Sequence, residues 1–416
     1  MNIAIIGAGP VGCYAGCLLA KAGHNVSIYE EHEEIGKPVQ CTGILTSEFD
    51  KLGFPKESLK LFLDNTISRI EICSPHGKVE VKQREYVVCR SRFDLFFAGL
   101  AEKAGARIFP GHSFVRREGQ NIIIKESKSK EDRGEGRGED KGEGRGEDRS
   151  EDGGECRGED REEENKAKAG NIKAEKRINP DIVIAADGPL SKTAKAFGLY
   201  HPKRKNYLGL QAVVRGHFKA DKYSAYFGEK ICPGMWAWIV PESPAKARVG
   251  LFSLKEPRSF FNRWLEVNHF KYEIIQAGLV PLYCPQQRLK RGRCYVLGDA
   301  AGFVKASTFG GIIPGLRQAK ILADCINRNA GDYKAINDGY KREIKPLRRE
   351  LWVHLQIRKI LSRFSDTDWD RLLLYISQER INKVLETYTR DNPLPLVASL
   401  LLREPRFLYF LKYLVF

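Results

Sequence analysis

The chain opens on an apolar run, Asn2-Ile-Ala-Ile-Ile, which breaks into Gly7-Ala-Gly9-Pro-Val-Gly12 and then into a small-residue stretch of helical character. A second apolar run, Asn25-Val-Ser-Ile-Tyr, ends on Glu30. Strand, helix and strand in that order predict a βαβ unit. Further along, Tyr86-Val-Val-Cys leads into a helix expected over 93–103, and Asn121-Ile-Ile-Ile-Lys125 and Asp181-Ile-Val-Ile-Ala-Ala186 read as strands. Alternating runs such as 208–214 and 248–254 predict a sheet-rich unit, and Arg293-Cys-Tyr-Val-Leu-Gly298 returns to a buried strand. Residues 312–329 and most of 335–416 carry helical spacing, broken at Pro393, Pro395 and Pro405.

One stretch has no apolar pattern. From Glu126 to Lys176 the chain is mostly Gly, Glu, Asp, Arg and Lys with almost no apolar residues, and has a near-repeat of eight residues at 134–141 and 142–149. Such a segment cannot bury a core and is expected to be a disordered low-complexity insertion, an overgrown hairpin loop between the flanking strands. These patterns predict an α/β (α+β) fold with a Rossmann-like dinucleotide domain over 1–125, 177–206 and 285–330. An inserted antiparallel-sheet domain over 207–284 is expected to hold the substrate, and 331–416 to form a helical C-terminal region.

Charge and composition narrow the setting. The insertion carries 13 Lys and Arg against 18 Asp and Glu, so the remainder must hold a net +21 for the whole chain to reach +16. A surface that basic suits lipid headgroups, phosphorylated substrates or an acidic redox protein; no nucleic-acid motif accompanies it. Ten cysteines without a CxxC pair, and no secretory signal, point to a reducing, cytoplasmic setting. Eight histidines without HxxxH or HxH spacing argue against a metal site. No apolar run reaches the roughly 18 residues that span a bilayer. Phe407, Phe410, Leu411 and Leu414 nevertheless recur at helical spacing among Arg403, Arg406 and Lys412, so peripheral contact on an inner membrane face and packing on the body both stay open.

The glycine triplet carries the first chemistry. Gly7 suits the tight turn, Gly9 the approach of backbone to a diphosphate, and Gly12 the packing of helix on strand. The diphosphate would lie on the helix N-terminus, beside Val11, and Glu30 is spaced to meet ribose hydroxyls. Three later segments extend the dinucleotide toward a flavin. Tyr295-Val-Leu-Gly298-Asp299 ends a strand in a carboxylate suited to a ribityl chain, with Gly310-Gly311-Ile312 following; Asp181–Asp187-Gly188 closes another strand; and Arg90 and Arg92 stand before the helix at 93–103.

Together these motifs resemble the FAD-dependent monooxygenase and reductase superfamily with the para-hydroxybenzoate hydroxylase fold, over most of 1–330. The resemblance implies FAD as cofactor, with Glu30 on the adenosine ribose, Arg90 and the segment at Val115 along the FAD, Asp187 and Asp299 at strand ends, and Gly311 and Ile312 beside the ring. A helix starting near Pro314 would stabilise negative charge on a reduced ring.

Two segments narrow the resemblance. Gly36-Lys-Pro-Val-Gln-Cys41-Thr-Gly43-Ile resembles the corresponding segment of the geranylgeranyl reductase family. Pro233-Gly-Met-Trp236-Ala-Trp238-Ile-Val240-Pro241 is similar to that family's PxxYxWxFP pattern, with Trp for Tyr and Val for Phe. The implied activity is saturation of prenyl C=C bonds in an isoprenoid lipid or prenyl diphosphate, with NAD(P)H or a ferredoxin-like protein as electron donor. Trp236, Trp238 and Pro241 would line the substrate pocket, and Cys41 and Gly43 would lie by the flavin. Cys41 is a candidate for gating, proton delivery or positioning, or else a small packing thiol. The same tryptophan stretch also resembles the WxWxIP signature of flavin-dependent halogenases, although Lys37 stands in the wrong motif for a halogenating lysine. An aromatic hydroxylase of this fold and a non-catalytic flavin-binding protein are the other readings.

Overall fold

The computed structural model describes residues 1–126 and 175–414. The opening unit forms as the hydrophobic pattern requires: strand Asn2–Ile6, helix Pro10–Lys21 and strand Asn25–Tyr29, with the two strands parallel from Asn2 opposite Asn25 to Ile6 opposite Tyr29. They are the centre of a six-stranded sheet in the order Lys290–Arg291, Cys294–Val296, Ile182–Ala185, Asn2–Ile6, Asn25–Tyr29, Arg107–Phe109. All of its pairs are parallel except that of Lys290–Arg291. The near-continuous apolar character of these strands follows from burial on both faces, and Ile5, Ile28, Ile184 and Val296 are fully enclosed. Helix Ile312–Arg328 packs beside helix Pro10–Lys21, so two segments three hundred residues apart share one core.

The second sheet has eight strands, in the order Tyr272–Pro281, Asn206–Arg215, Lys246–Phe252, Ala237–Ser243, Lys222–Tyr226, Leu63–Cys73, Lys78–Val88, Ile44–Thr46. This departs from the expected division, in which 207–284 alone supplied the sheet. Three of its strands come from within 1–125, and the join is a parallel pairing of Leu63–Cys73 with Lys222–Tyr226. Lys222 fastens the join, its Nζ donating to Glu71 at 2.5 Å and Glu80 at 3.0 Å. A pairing across 150 residues leaves no local trace, which is why patterning missed it.

A small antiparallel sheet, His112–Glu118, Asn121–Glu126 and Glu175–Ile178, brackets the charged insertion. Lys125 stands opposite Glu175, so the two ends of the insertion are neighbours. The insertion is expected to be disordered over 126–176; its end residues Glu126, Glu175 and Lys176 instead belong to these strands, and residues 127–174 lie outside the described residues. The helix expected at 93–103 begins earlier, at Arg90, and takes both arginines into its first turn. At the C-terminal end, Pro393 opens helix Pro393–Arg403 and Pro405 opens a 3₁₀ run, Pro405–Leu414, as a residue without a free N–H suits a first turn. Among the described residues no helix is long and apolar enough to cross a membrane.

Candidate functional site

A cavity of about 610 Å³ runs from the glycine turn after Asn2–Ile6 across the concave region between the sheets to the C-terminal helices. At its first end, Gly7 has a φ of 104°, and a Cβ there or at Gly12 would strike the carbonyl of Ala186 or Gly7 respectively. Gly9 differs: a Cβ would meet nothing within 4 Å, because the backbone here faces open cavity at the N-cap of helix Pro10–Lys21. That is the cradle a diphosphate needs. Val11 lines the cavity and wedges between Gly298 and Gly315, joining the first motif to the late ones. Glu30 lies behind this end, its carboxylate accepting from the Ala8 N–H at 2.8 Å and from His32.

The middle of the cavity is charged. Arg90 lines it with Asp94, to which it donates from Nε and Nη2 at 3.1 Å each. Burial pushes the Asp94 carboxyl up, and Arg90 pulls it back. Asp299 lines the cavity at the end of strand Cys294–Val296, and a Cβ on Gly311 would sit 2.8 Å from its Oδ1. Burial raises its pKa, against the attraction of Arg90 and Arg204. Among the described residues no hydrogen bond reaches the Asp299 carboxylate, so it presents unused acceptors to the cavity. An open backbone cradle at one point and a half-buried, unpartnered carboxylate further along fit the two polar parts of FAD, its diphosphate and its ribityl chain. Gly310, Gly311 and Ile312 complete the wall at the start of helix Ile312–Arg328, whose N-terminus therefore faces the cavity.

Cys41 and Gly43 line the cavity at the junction. Gly43 has φ of 75° and lies on the Val88 carbonyl, where no side chain would fit. Arg248 holds the segment from behind, donating to the carbonyls of Cys41 at 3.2 Å and Thr42 at 2.8 Å. The Cys41 Sγ accepts from the Gly43 N–H at 3.4 Å, and Arg90 lines the cavity alongside this segment.

Beyond the junction the lining becomes aromatic and aliphatic. Trp236 and Phe252 pack at 5.2 Å, Trp236 and Phe309 at 5.2 Å, and Phe252 and Phe309 at 4.6 Å. Trp238 lies flat on Gly250, whose Cβ would stand 2.5 Å from the indole, and its Nε1 is buried without a hydrogen-bond partner. Ile70, Ile72, Val81, Leu385 and Leu396 carry the apolar wall outward.

Of the residues expected at the site, Gly7 and Glu30 stand just behind the cavity wall, and Val115, Pro241 and Asp187 do not line the cavity. Val115 is exposed on strand His112–Glu118 and does not line the cavity. Pro241 is buried at the far end of strand Ala237–Ser243, its carbonyl accepting from Asn65, so only the two tryptophans of that motif reach the cavity. Asp187 turns back to its own chain, accepting from Ser191 Oγ at 2.5 Å and from the Thr193 N–H at 3.0 Å at the start of helix Lys192–Ala196.

Patterning also missed two buried ion pairs on the cavity wall. Lys305 meets Asp391 at 2.5 Å, Thr46 donates to the same carboxylate at 2.5 Å, and Arg390 bonds both oxygens of Glu85 and the Tyr223 hydroxyl. Burial works against the Asp391 charge, yet Lys305 and Thr46 hold its carboxyl below the usual range. His354, bonded to Ser307 at 2.7 Å, is pushed down to about 3 by burial and by Lys305. The sole signal in sequence is the charged pair Arg390-Asp391 just before an apolar helix.

Comparison with known proteins agrees with the geometry. A family model described as an NAD(P)-binding Rossmann-like domain matches residues 5–41. Over 408 residues the chain is 27% identical to digeranylgeranylglycerophospholipid reductase 2 of Methanothermobacter thermautotrophicus, covering 92% of this chain and 93% of that one. Among solved structures, a geranylgeranyl bacteriochlorophyll reductase-like protein of Thermoplasma acidophilum superposes with a TM-score of 0.77 at 18% identity, covering 100% of this chain and 99% of the other. A flavin-dependent brominase follows the same fold with a TM-score of 0.66 at 14% identity, over 98% of this chain and 99% of its own. The resemblance carried by the motifs is thus borne out along the chain, the oxidoreductase reading stands, and the structural neighbours include flavin-dependent enzymes.

Proposed function

We propose, from the premise that this chain is a relative of the geranylgeranyl reductases, that it is an FAD-dependent reductase saturating C=C bonds of geranylgeranyl or polyprenyl chains. The observation that carries the reading is the single cavity, dinucleotide-like at one end and long, aromatic and apolar at the other, with Cys41 and Gly311 between. Gly9, Val11 and Gly12 would hold the diphosphate, Glu30 the adenosine ribose, Arg90 and Asp299 the middle of the cofactor, and Gly43, Gly311 and Ile312 the ring. Reduced flavin, when bound, supplies the hydride. Trp236, Trp238, Phe252 and Phe309 exclude water and orient an apolar chain against the junction. The Cys41 thiol, beside Arg90, is the candidate to position the chain or deliver a proton there. The substrate is an isoprenoid lipid or a prenyl diphosphate, the electron donor NAD(P)H or a ferredoxin-like protein, and the setting cytoplasmic with peripheral membrane contact.

The halogenase reading shares the fold but needs a lysine free to work in the cavity. Lys305 lines it, yet is locked to Asp391, while Lys37 pairs with Glu34 at the surface. The reductase reading is tested anaerobically: dithionite-reduced flavoprotein should reoxidise when a geranylgeranyl lipid is added. Reoxidation by oxygen alone, with a halogenated or hydroxylated aromatic product, would overturn it.

A further inference from the structure

We propose that the 3₁₀ run Pro405–Leu414, with the outer sides of helices Asp366–Ile376 and Pro393–Arg403, docks the protein on an anionic lipid bilayer at the outer end of the cavity. The purpose of this surface rests on the lipid-substrate reading; its geometry does not. A 3₁₀ helix has three residues per turn, so positions i and i+3 eclipse and the run presents three distinct rows. One row faces inward: Phe407 packs on Tyr375 at 5.5 Å, Phe410, only 4% exposed, packs on Phe364 at 4.6 Å, and Tyr413 packs on Phe364 at 5.7 Å. The next row, Leu408, Leu411 and Leu414, is exposed throughout. In the third row, Lys412 lies 3.7 Å over the ring of Tyr409 and Arg371 covers the same ring at 4.3 Å, and both stand 4.0 Å from the carboxylate of Asp368, which leaves a net positive charge beside the leucines.

The patch extends past this run. Leu374, one turn beyond Arg371, is exposed, and Leu402 at the end of helix Pro393–Arg403 is 83% exposed. Leucines in rows, flanked by a tyrosine under two cations, suit the boundary where acyl chains meet phosphate headgroups. Water gives no reason to expose rows of leucine; an anionic bilayer accommodates both the leucines and the cations beside them, and the basic body of the chain adds to the attraction. The patch is also joined to the cavity. Leu396 lines the cavity while Leu394 and Leu402 of the same helix face outward, so helix Pro393–Arg403 is the wall between the lipid-facing surface and the apolar end.

The test is flotation of the full chain with vesicles of phosphatidylcholine alone and with 30% phosphatidylglycerol, neither of which contains an isoprenoid. The wild type should float with the anionic vesicles, less so in high salt. The double variant Leu408→Asp/Leu411→Asp should bind about tenfold more weakly or worse, and Lys412→Glu should lose the preference for anionic vesicles. Leu190→Asp, an exposed leucine outside the patch, should bind as the wild type does. Unchanged thermal unfolding would show that the double variant folds. Wild-type protein that stays at the bottom of the gradient, a folded double variant that still floats, or a dimer that the leucine changes convert to monomer would each overturn the proposal. Vesicle binding reads this surface, and flavin reoxidation reads the reductase chemistry, so one can fail without the other.

Discussion

Asp299 and Lys305 stand six residues apart and meet the cavity in opposite ways. Asp299 offers an unpartnered carboxylate, while Lys305 is neutralised by Asp391. Asp299→Ala should weaken FAD retention by about tenfold to a hundredfold, the worth of charge-assisted hydrogen bonds, read as flavin content after dialysis. Asp391→Asn should instead cost about 3–5 kcal/mol of stability in denaturant unfolding, because it strands a buried lysine. His354 adds a pH dependence of definite sign. Its folded pKa lies near 3, below the ordinary value near 6.5, so the unfolded chain binds the proton first on acidification. Stability should be full above about pH 6.5 and fall by about 1.4 kcal/mol per unit toward pH 3, and His354→Gln should remove that component from the slope. That Asp299 and the two tryptophans would stand on one cavity wall was legible, because each sits in a local motif. Lys305–Asp391 was not, since its partners are 86 residues apart, and the capping contact of Asp187 was not, since a strand-end carboxylate reads the same whether it faces a cavity or caps its own helix.

At the scale of elements, the glycine turn and its helix were legible because alternation, spacing and the close approaches at Gly7 and Gly12 all act within thirty residues. Gly12→Val should therefore cost both stability and flavin, as its side chain would enter the Gly7 carbonyl. The eight-stranded sheet was half legible: the strands from 206 to 281 alternate visibly, but their pairing with Leu63–Cys73 is a long-range event. The small sheet makes a simpler statement about the charged insertion. Lys125 and Glu175 are already paired neighbours, so replacing 128–170 by a short turn should leave flavin content and thermal stability unchanged. Loss of flavin in that deletion would show that the insertion takes part in the site.

At the scale of the whole molecule, the two sheets and the C-terminal helices are arranged around one cavity that changes character along its length. The charged middle, with Arg90, Asp94 and Asp299, gives way at Cys41 to an aromatic and aliphatic channel ending at Leu396. Neither end alone supports the proposed reaction; their continuity does, because it would bring an apolar chain to the point where Gly311 and Ile312 would meet a flavin. The measurement that tests this most directly is a single anaerobic turnover of the reduced flavoprotein with a geranylgeranyl lipid, with the lipid analysed by mass spectrometry. The account predicts a gain of two hydrogens in the lipid for each flavin reoxidised. Flavin that stays reduced, or that reoxidises while the lipid mass is unchanged, would contradict it.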